Sequence, residues 1–332
     1  MSLLPLVWYC LLITALFLYV FLDGFDLGVG ILFPFAPSEE SRDVMMNSIA
    51  PFWDGNETWL VLSGGGLLAA FPLAYAILMP AFYMPVILML LGLIFRGVAF
   101  EFRFKAVRSR RVWDYAFHFG SLLAAFMQGM ILGSYVTGVQ VVGRSFAGRP
   151  FDWVSAYSVM TGMALVFGYA LLGSTWLVMK TEEPTQAWAR KCASYVLAYV
   201  ALFLVIVSIS VPLMNSAIRH LWFTSPHFYY LLPLPLATAV LVAAIWGKLH
   251  RGSQTSPFFM AVGIFLFAYI GWGISLWPWL VPFAVTFPQA AAAPSSQAFL
   301  LAGTVFVLPL ILAYVAYCYY VFRGKTSREG YY

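Results

Sequence analysis

The 332-residue chain is 62% hydrophobic and only 9% charged, with a mean hydropathy of +0.86. An ordinary soluble domain carries about 25% charged residues, so a soluble enzyme or binding module is excluded and an integral membrane protein is expected. The formal charge of +5 does not point to nucleic acid, because the basic residues stand in short loops between apolar runs, where they set orientation in a bilayer. Cys10, Cys192 and Cys318 lie far apart, each in or beside an apolar run, so neither a disulfide framework nor a thiolate metal site is expected and all three read as small buried hydrophobes.

The N-terminal run has no basic n-region and no small-residue cleavage site, and reads as a retained first span. It passes into Asp23-Gly24-Phe25-Asp26-Leu27-Gly28-Val29-Gly30 and stays apolar to about Phe35, so two acids and three glycines are expected to interrupt it. A loop with Glu39, Glu40, Arg42 and Asp43 follows. The second span begins at Ser48, ends near Pro72, and reads SIAPFWDGNETWLVLSGGGLLAAF through Phe71. Asp54 and Glu57 stand three residues apart near its start and are expected on one helix face, beside Trp53 and Trp59, with Asn56 adding an amide. Gly64, Gly65 and Gly66 then offer a flat surface on which another backbone could pack. The third span, from about Pro80 to Phe104, carries Arg96 and Glu101 and leaves by a basic loop with Arg103, Lys105, Arg108, Arg110 and Arg111. The fourth runs from about Trp113 to Val142, with Asp114 and His118 spaced for an interfacial hydrogen bond and Gln128 in mid-helix. Further apolar runs cover Val154–Met179, Ala193–Leu213, Phe228–Trp246, Phe258–Leu280 and Ala298–Phe322. Each approaches or exceeds the ~20 residues that cross a ~30 Å hydrocarbon core. The reading is all-α and polytopic, with about nine spans in a single integral membrane domain, residues 1–332.

With the N-terminus outside, 14 basic residues fall in inner loops and the tail (Arg42, the five after span three, Lys180, Arg190, Lys191, Lys248, Arg251, Arg323, Lys325 and Arg328), against Arg144, Arg149 and Arg219 outside. The excess of positive charge on inner loops predicts an N-terminus outside and a C-terminus in the cytoplasm. Asp23, Asp26, Asp54, Glu57, Arg96 and Glu101 then all fall at the inner ends of three consecutive helices. A charge within the bilayer costs roughly 2.5–3.5 kcal/mol even on the lenient insertion scale, so acids there pair, take up a proton or line water. The functional reading is a proton-uptake or ion-binding cluster open to the cytoplasm; the structural one is a set of charges that pin helix ends at headgroup level. No His-rich ligand pattern, nucleotide motif or nucleophile elbow is present. A proton- or sodium-coupled secondary transporter is the rival class, and its mark would be inverted repeats and broken helices meeting at the bilayer midplane.

Four segments carry a resemblance: DGFDLGVG, SIAPFWDGNETWLV with GGGLLAAFP, FRGVAFEFR at the end of span three, and the C-terminal YVAYCYYVFRGK. In order and from end to end the chain resembles subunit II of the cytochrome bd-type quinol oxidases, and, lacking a large loop, its shorter, cyanide-insensitive branch. The resemblance implies two four-helix bundles plus one peripheral helix, and a respiratory terminal oxidase of the inner membrane that oxidises quinol and reduces dioxygen to water. It implies no haem in this chain, with two b haems and haem d in the partner subunit I. It also allows for small single-helix accessory subunits and a structural quinone. It places Asp23 and Asp54 on a proton path from the cytoplasm, with Asp26 in the same motif and Arg96 and Glu101 in a basic-acidic pattern. Glu57 departs from the family in degree, since some relatives carry an amide there.

Overall fold

A computed structural model describes residues 3–326, so Arg328, counted above for orientation, lies outside the described residues. The helices are α1 (Leu4–Leu32), α2 (Glu39–Asn47), α3 (Trp53–Ala70), α4 (Pro72–Ala81), α5 (Tyr83–Arg103), α6 (Arg110–Thr137), α7 (Ala156–Lys180), α8 (Thr185–Met214), α9 (Ser216–Phe223), α10 (His227–Leu231), α11 (Pro233–His250), α12 (Ser256–Leu276), α13 (Phe287–Ala290) and α14 (Pro294–Val321). Two antiparallel hairpins, β1 (Val141–Val142) with β2 (Ser145–Phe146) and β3 (Trp279–Val281) with β4 (Val285–Thr286), are small departures from the all-helical expectation. Among the described residues eight helical segments are long and apolar enough to cross a membrane, where the sequence predicts nine. The difference is α3, 18 residues of helix whose apolar character is diluted by Asp54, Asn56, Glu57 and three consecutive glycines.

α1 runs unbroken through both acids and all its glycines before a 3₁₀ turn at Phe33–Phe35. The expected interruption does not occur, because the glycines serve packing. A Cβ on Gly28 would strike the backbone of Tyr169, and one on Gly173 would strike that of Gly28, so α1 and α7 meet backbone to backbone. Gly92 and Gly120 bring α5 and α6 together in the same way. The Gly64–Gly66 run behaves differently: a Cβ on Gly64 or Gly65 would meet nothing, and only Gly66 faces a neighbour, the Leu12 side chain. The acidic stretch after α1, expected as a loop, is helix α2, capped by the Ser38 side chain, which accepts from the Ser41 amide.

α1 packs against α3, α6 and α7, so its polar face is enclosed on several sides. α14 rests on α1 and α3 and buries only Gln297. Gln297 Nε2 donates to Ala70 O at 3.0 Å, and the Gln297 backbone carbonyl accepts from Trp8 Nε1 at 3.1 Å. The cysteines are free as expected, but Cys10 is exposed and the other two are half-buried, so none is the buried hydrophobe predicted.

Candidate functional site

Tyr19, Asp23 and Asp26 follow one another at four- and three-residue spacing, which places them on one stripe of α1. α5 brings Arg96 to that stripe and α3 brings Asn56 and Glu57. Asp23, Asp26 and Arg96 are wholly buried and Asn56 nearly so. Arg96 Nη1 donates to Asp23 Oδ1 at 2.5 Å and Nη2 donates to Glu57 Oε2 at 2.9 Å, while the guanidinium lies 5.9 Å from the Trp53 ring. Asn56 Nδ2 donates to Asp26 Oδ2 at 2.7 Å and to Leu22 O at 3.3 Å; its Oδ1 accepts from Tyr319 OH on α14 at 2.9 Å. Asp26 therefore has an amide where Asp23 and Glu57 have a cation. Among the described residues Asp23 Oδ2, Asp26 Oδ1 and Arg96 Nε have no hydrogen-bond partner.

From the Asp23 end a second hydrogen-bonded series leads to α7. Tyr169 OH donates to Gln128 Oε1 at 2.7 Å, and Gln128 Nε2 donates to Tyr19 OH at 2.6 Å, one helical turn from Asp23. Its direction is fixed by chemistry: the amide nitrogen can only donate, so the Tyr19 hydroxyl accepts from it and keeps its own proton for another acceptor.

Four of the six predicted residues, Asp23, Asp26, Glu57 and Arg96, come together. Asp54 and Glu101 do not. The buried stripe of α3 runs through Asn56, Trp59 and Ala70. Asp54 is about 200° round the helix from Asn56 and is exposed, while Glu57 sits at the edge of the stripe with its side chain 26% exposed. Glu101 is exposed on α5 and, among the described residues, pairs only with Lys105, at 3.5 Å. The shared face predicted for Asp54 and Glu57 thus divides, one acid facing in and one out.

Arg103, expected in a solvated basic loop, is the last residue of α5 and fully buried. It donates to Asp114 Oδ1 at 2.5 Å and Asp43 Oδ1 at 2.6 Å and lies 3.6 Å from Glu39, while Arg110 also bonds Asp43. Arg103 follows Arg96 by two turns, so the two residues stand on one side of α5 with about 10 Å of helix between them. Asp114 and His118 do not bond to each other as predicted, because Arg103 takes Asp114 and the His118 ring meets Gly30 O at 3.2 Å. Among the described residues no three His, Cys, Asp or Glu side chains are grouped to hold a metal ion.

The fold and this site define a class: a polytopic helical membrane protein whose unbroken first helix buries two acids, one against an arginine from α5 and one against an amide from α3. Residues 4–322 match the family described as cytochrome bd terminal oxidase subunit II, and the chain belongs to that family, a subunit of an oxidoreductase complex. It is 29% identical over 337 residues to cytochrome bd ubiquinol oxidase subunit 2 of Bacillus subtilis, covering 97% of this chain and 96% of that one. It is equally 29% identical, over 371 residues, to cytochrome bd-I ubiquinol oxidase subunit 2 of Escherichia coli K12, covering 97% and 95%. The structure of bd oxidase from Geobacillus thermodenitrificans shares the fold, with a TM-score of 0.72 at 16% identity over 96% of this chain and 99% of that one.

Proposed function

We propose that the chain is the haem-free subunit II of a quinol-oxidising, dioxygen-reducing respiratory enzyme, and that its buried cluster takes up protons from the cytoplasm for the partner's chemistry. The relatives named above are ubiquinol oxidase subunits, which supports quinol as the electron donor. Two b haems and haem d belong, on this reading, to subunit I, and they supply the redox chemistry there. The observation that carries the proton assignment is the composition of the buried cluster: one guanidinium pairs with Asp23 and Glu57, while Asp26, among the described residues, is bonded to an amide and to no cation. A buried carboxylate with no cation of its own is strongly disfavoured, so Asp26 is the member that carries an exchangeable proton. Glu57, partly exposed, connects Arg96 and Asp23 to the surface.

Asp54 lies on a stripe of exposed α3 residues with Thr58, Val61, Gly65 and Leu68. A carboxylate facing hydrocarbon costs roughly 2.5–3.5 kcal/mol. That stripe is therefore the face we assign to subunit I, with α3 as the ninth span and Asp54 as a relay at the subunit boundary. Glu101 is left with no place on the path. The N-terminus lies outside and the C-terminus in the cytoplasm. The test is purification through a tag on this chain: a larger co-purifying subunit and haem d absorbance are expected, and a colourless, self-sufficient preparation would overturn the reading in favour of a transporter.

A further inference from the structure

Beyond the acidic cluster, residues 322–326 fold back across the end of α7 and close a cavity of about 190 Å³ against the turn between α2 and α3. Asn47, Ser48, Phe52, Lys180, Lys325 and Thr326 are among its lining, and Thr326 N donates to Lys180 O at 2.7 Å. Lys180 is 5% exposed; its ammonium donates to the carbonyls of Phe322 and of Gly324, the latter at 2.8 Å, and stands 5.4 Å from the Trp176 ring. Lys325 donates to Thr181 O at 2.9 Å and reaches Val178 O at 3.5 Å. An ammonium has three N–H groups, so each lysine keeps one after its two carbonyls are served. Among the described residues neither ammonium is ion-paired with a carboxylate. Lys325 itself is exposed at the cavity's rim; partial desolvation still draws its ammonium below the ordinary range, opposed by Glu182 and helped by Arg190. Asn47, 2% exposed in the cavity wall, has a side-chain oxygen without a hydrogen-bond partner among the described residues; being an acceptor, it can meet only a protonated oxygen of an anion.

Lys180 and Lys325 repel each other across the cavity, and among the described residues no carboxylate is ion-paired with either. An oxyanion between them relieves that repulsion and uses both spare N–H groups. We propose that this cavity binds a phosphate group, through Lys180 and Lys325. The cavity sits where α7 and α14 end, the level at which the phosphates of a bilayer lie, and the flank of α14 beside it is apolar and exposed at Tyr317 and Val321. Basic pockets between the ends of membrane helices suit anionic lipid headgroups, and inorganic phosphate offers the same oxygens.

The experiment is native mass spectrometry of the complex purified with its partner subunit, titrated with phosphatidylglycerol, with a phosphate-free glycolipid of the same acyl chains, and with inorganic phosphate as competitor. Lys325→Gln is the primary variant, because Lys180→Gln also uncaps α7 and could fail to assemble. Phosphatidylglycerol should be retained over the glycolipid, and Lys325→Gln should weaken that retention roughly fivefold, the usual worth of one lysine against an anionic headgroup. Retention that millimolar phosphate leaves unchanged assigns the site to a lipid headgroup; displacement by phosphate assigns it to the soluble anion. Equal retention of the two lipids, or of phosphatidylglycerol by wild type and variant with no phosphate bound, overturns the proposal.

Discussion

Arg96 divides its guanidinium between Asp23 and Glu57, and this division governs what each substitution in the cluster should do. Arg96→Leu leaves three carboxyls with no cation. Breaking a buried pair by removing one partner costs about 3–5 kcal/mol, so loss of assembled complex is expected on size-exclusion of the membrane extract. Glu57→Gln removes only the partly exposed partner and should cost under about 1 kcal/mol in the same assay. Gln128→Leu strands the Tyr169 hydroxyl, which donates to it, and takes a donor from Tyr19. About 1–3 kcal/mol of stability should be lost, read as a lower melting temperature of the purified complex. Asp23, Asp26, Glu57 and Arg96 were legible in the sequence because an ionised group inside an apolar run is costly and so stands out. Tyr19, Gln128 and Tyr169 were not, since neutral polar side chains are ordinary in such helices and only the fold shows that they meet. Arg103 was missed because it closes an apolar run beside other basic residues, although its seven-residue spacing from Arg96 carried the signal.

At the scale of the helix, glycines decide which faces meet. Gly28→Ala forces a methyl into the Tyr169 backbone where α1 crosses α7, and overpacking of this kind costs about 1–3 kcal/mol. Gly65→Ala places the same methyl in open space and should leave the isolated chain's stability unchanged. If the exposed stripe of α3 seats the partner subunit, Gly65→Leu should reduce co-purification of that subunit while this chain still accumulates in the membrane. Normal co-purification would assign the stripe to lipid. The sequence located these glycines but could not say which were in contact, because a period of 3.6 residues gives the faces of a helix without naming its neighbours. It read α1 as interrupted for the same reason: two acids and three glycines look like a break until α3, α5 and α7 satisfy and pack them.

For the whole molecule, apolar run length and the bias of basic residues carried most of the architecture, since crossing a bilayer fixes both. The helical membrane fold and all but one of the expected spans follow from them; the short helices α2 and α9, held by the Ser38 and Asn215 caps, and the two hairpins do not. The same bias predicts a cytoplasmic C-terminus, so a C-terminal reporter that matures only in the cytoplasm should be active. In the proposed function the buried cluster delivers protons and Asp26 carries them. Asparagine has nearly the shape of aspartic acid and can still meet Asn56, but it cannot release a proton. In the complex purified with its partner, Asp26→Asn should leave haem content and assembly in place while quinol-oxidase turnover per haem d falls at least about tenfold. Turnover per haem d equal to wild type in a fully assembled Asp26→Asn complex would contradict the account.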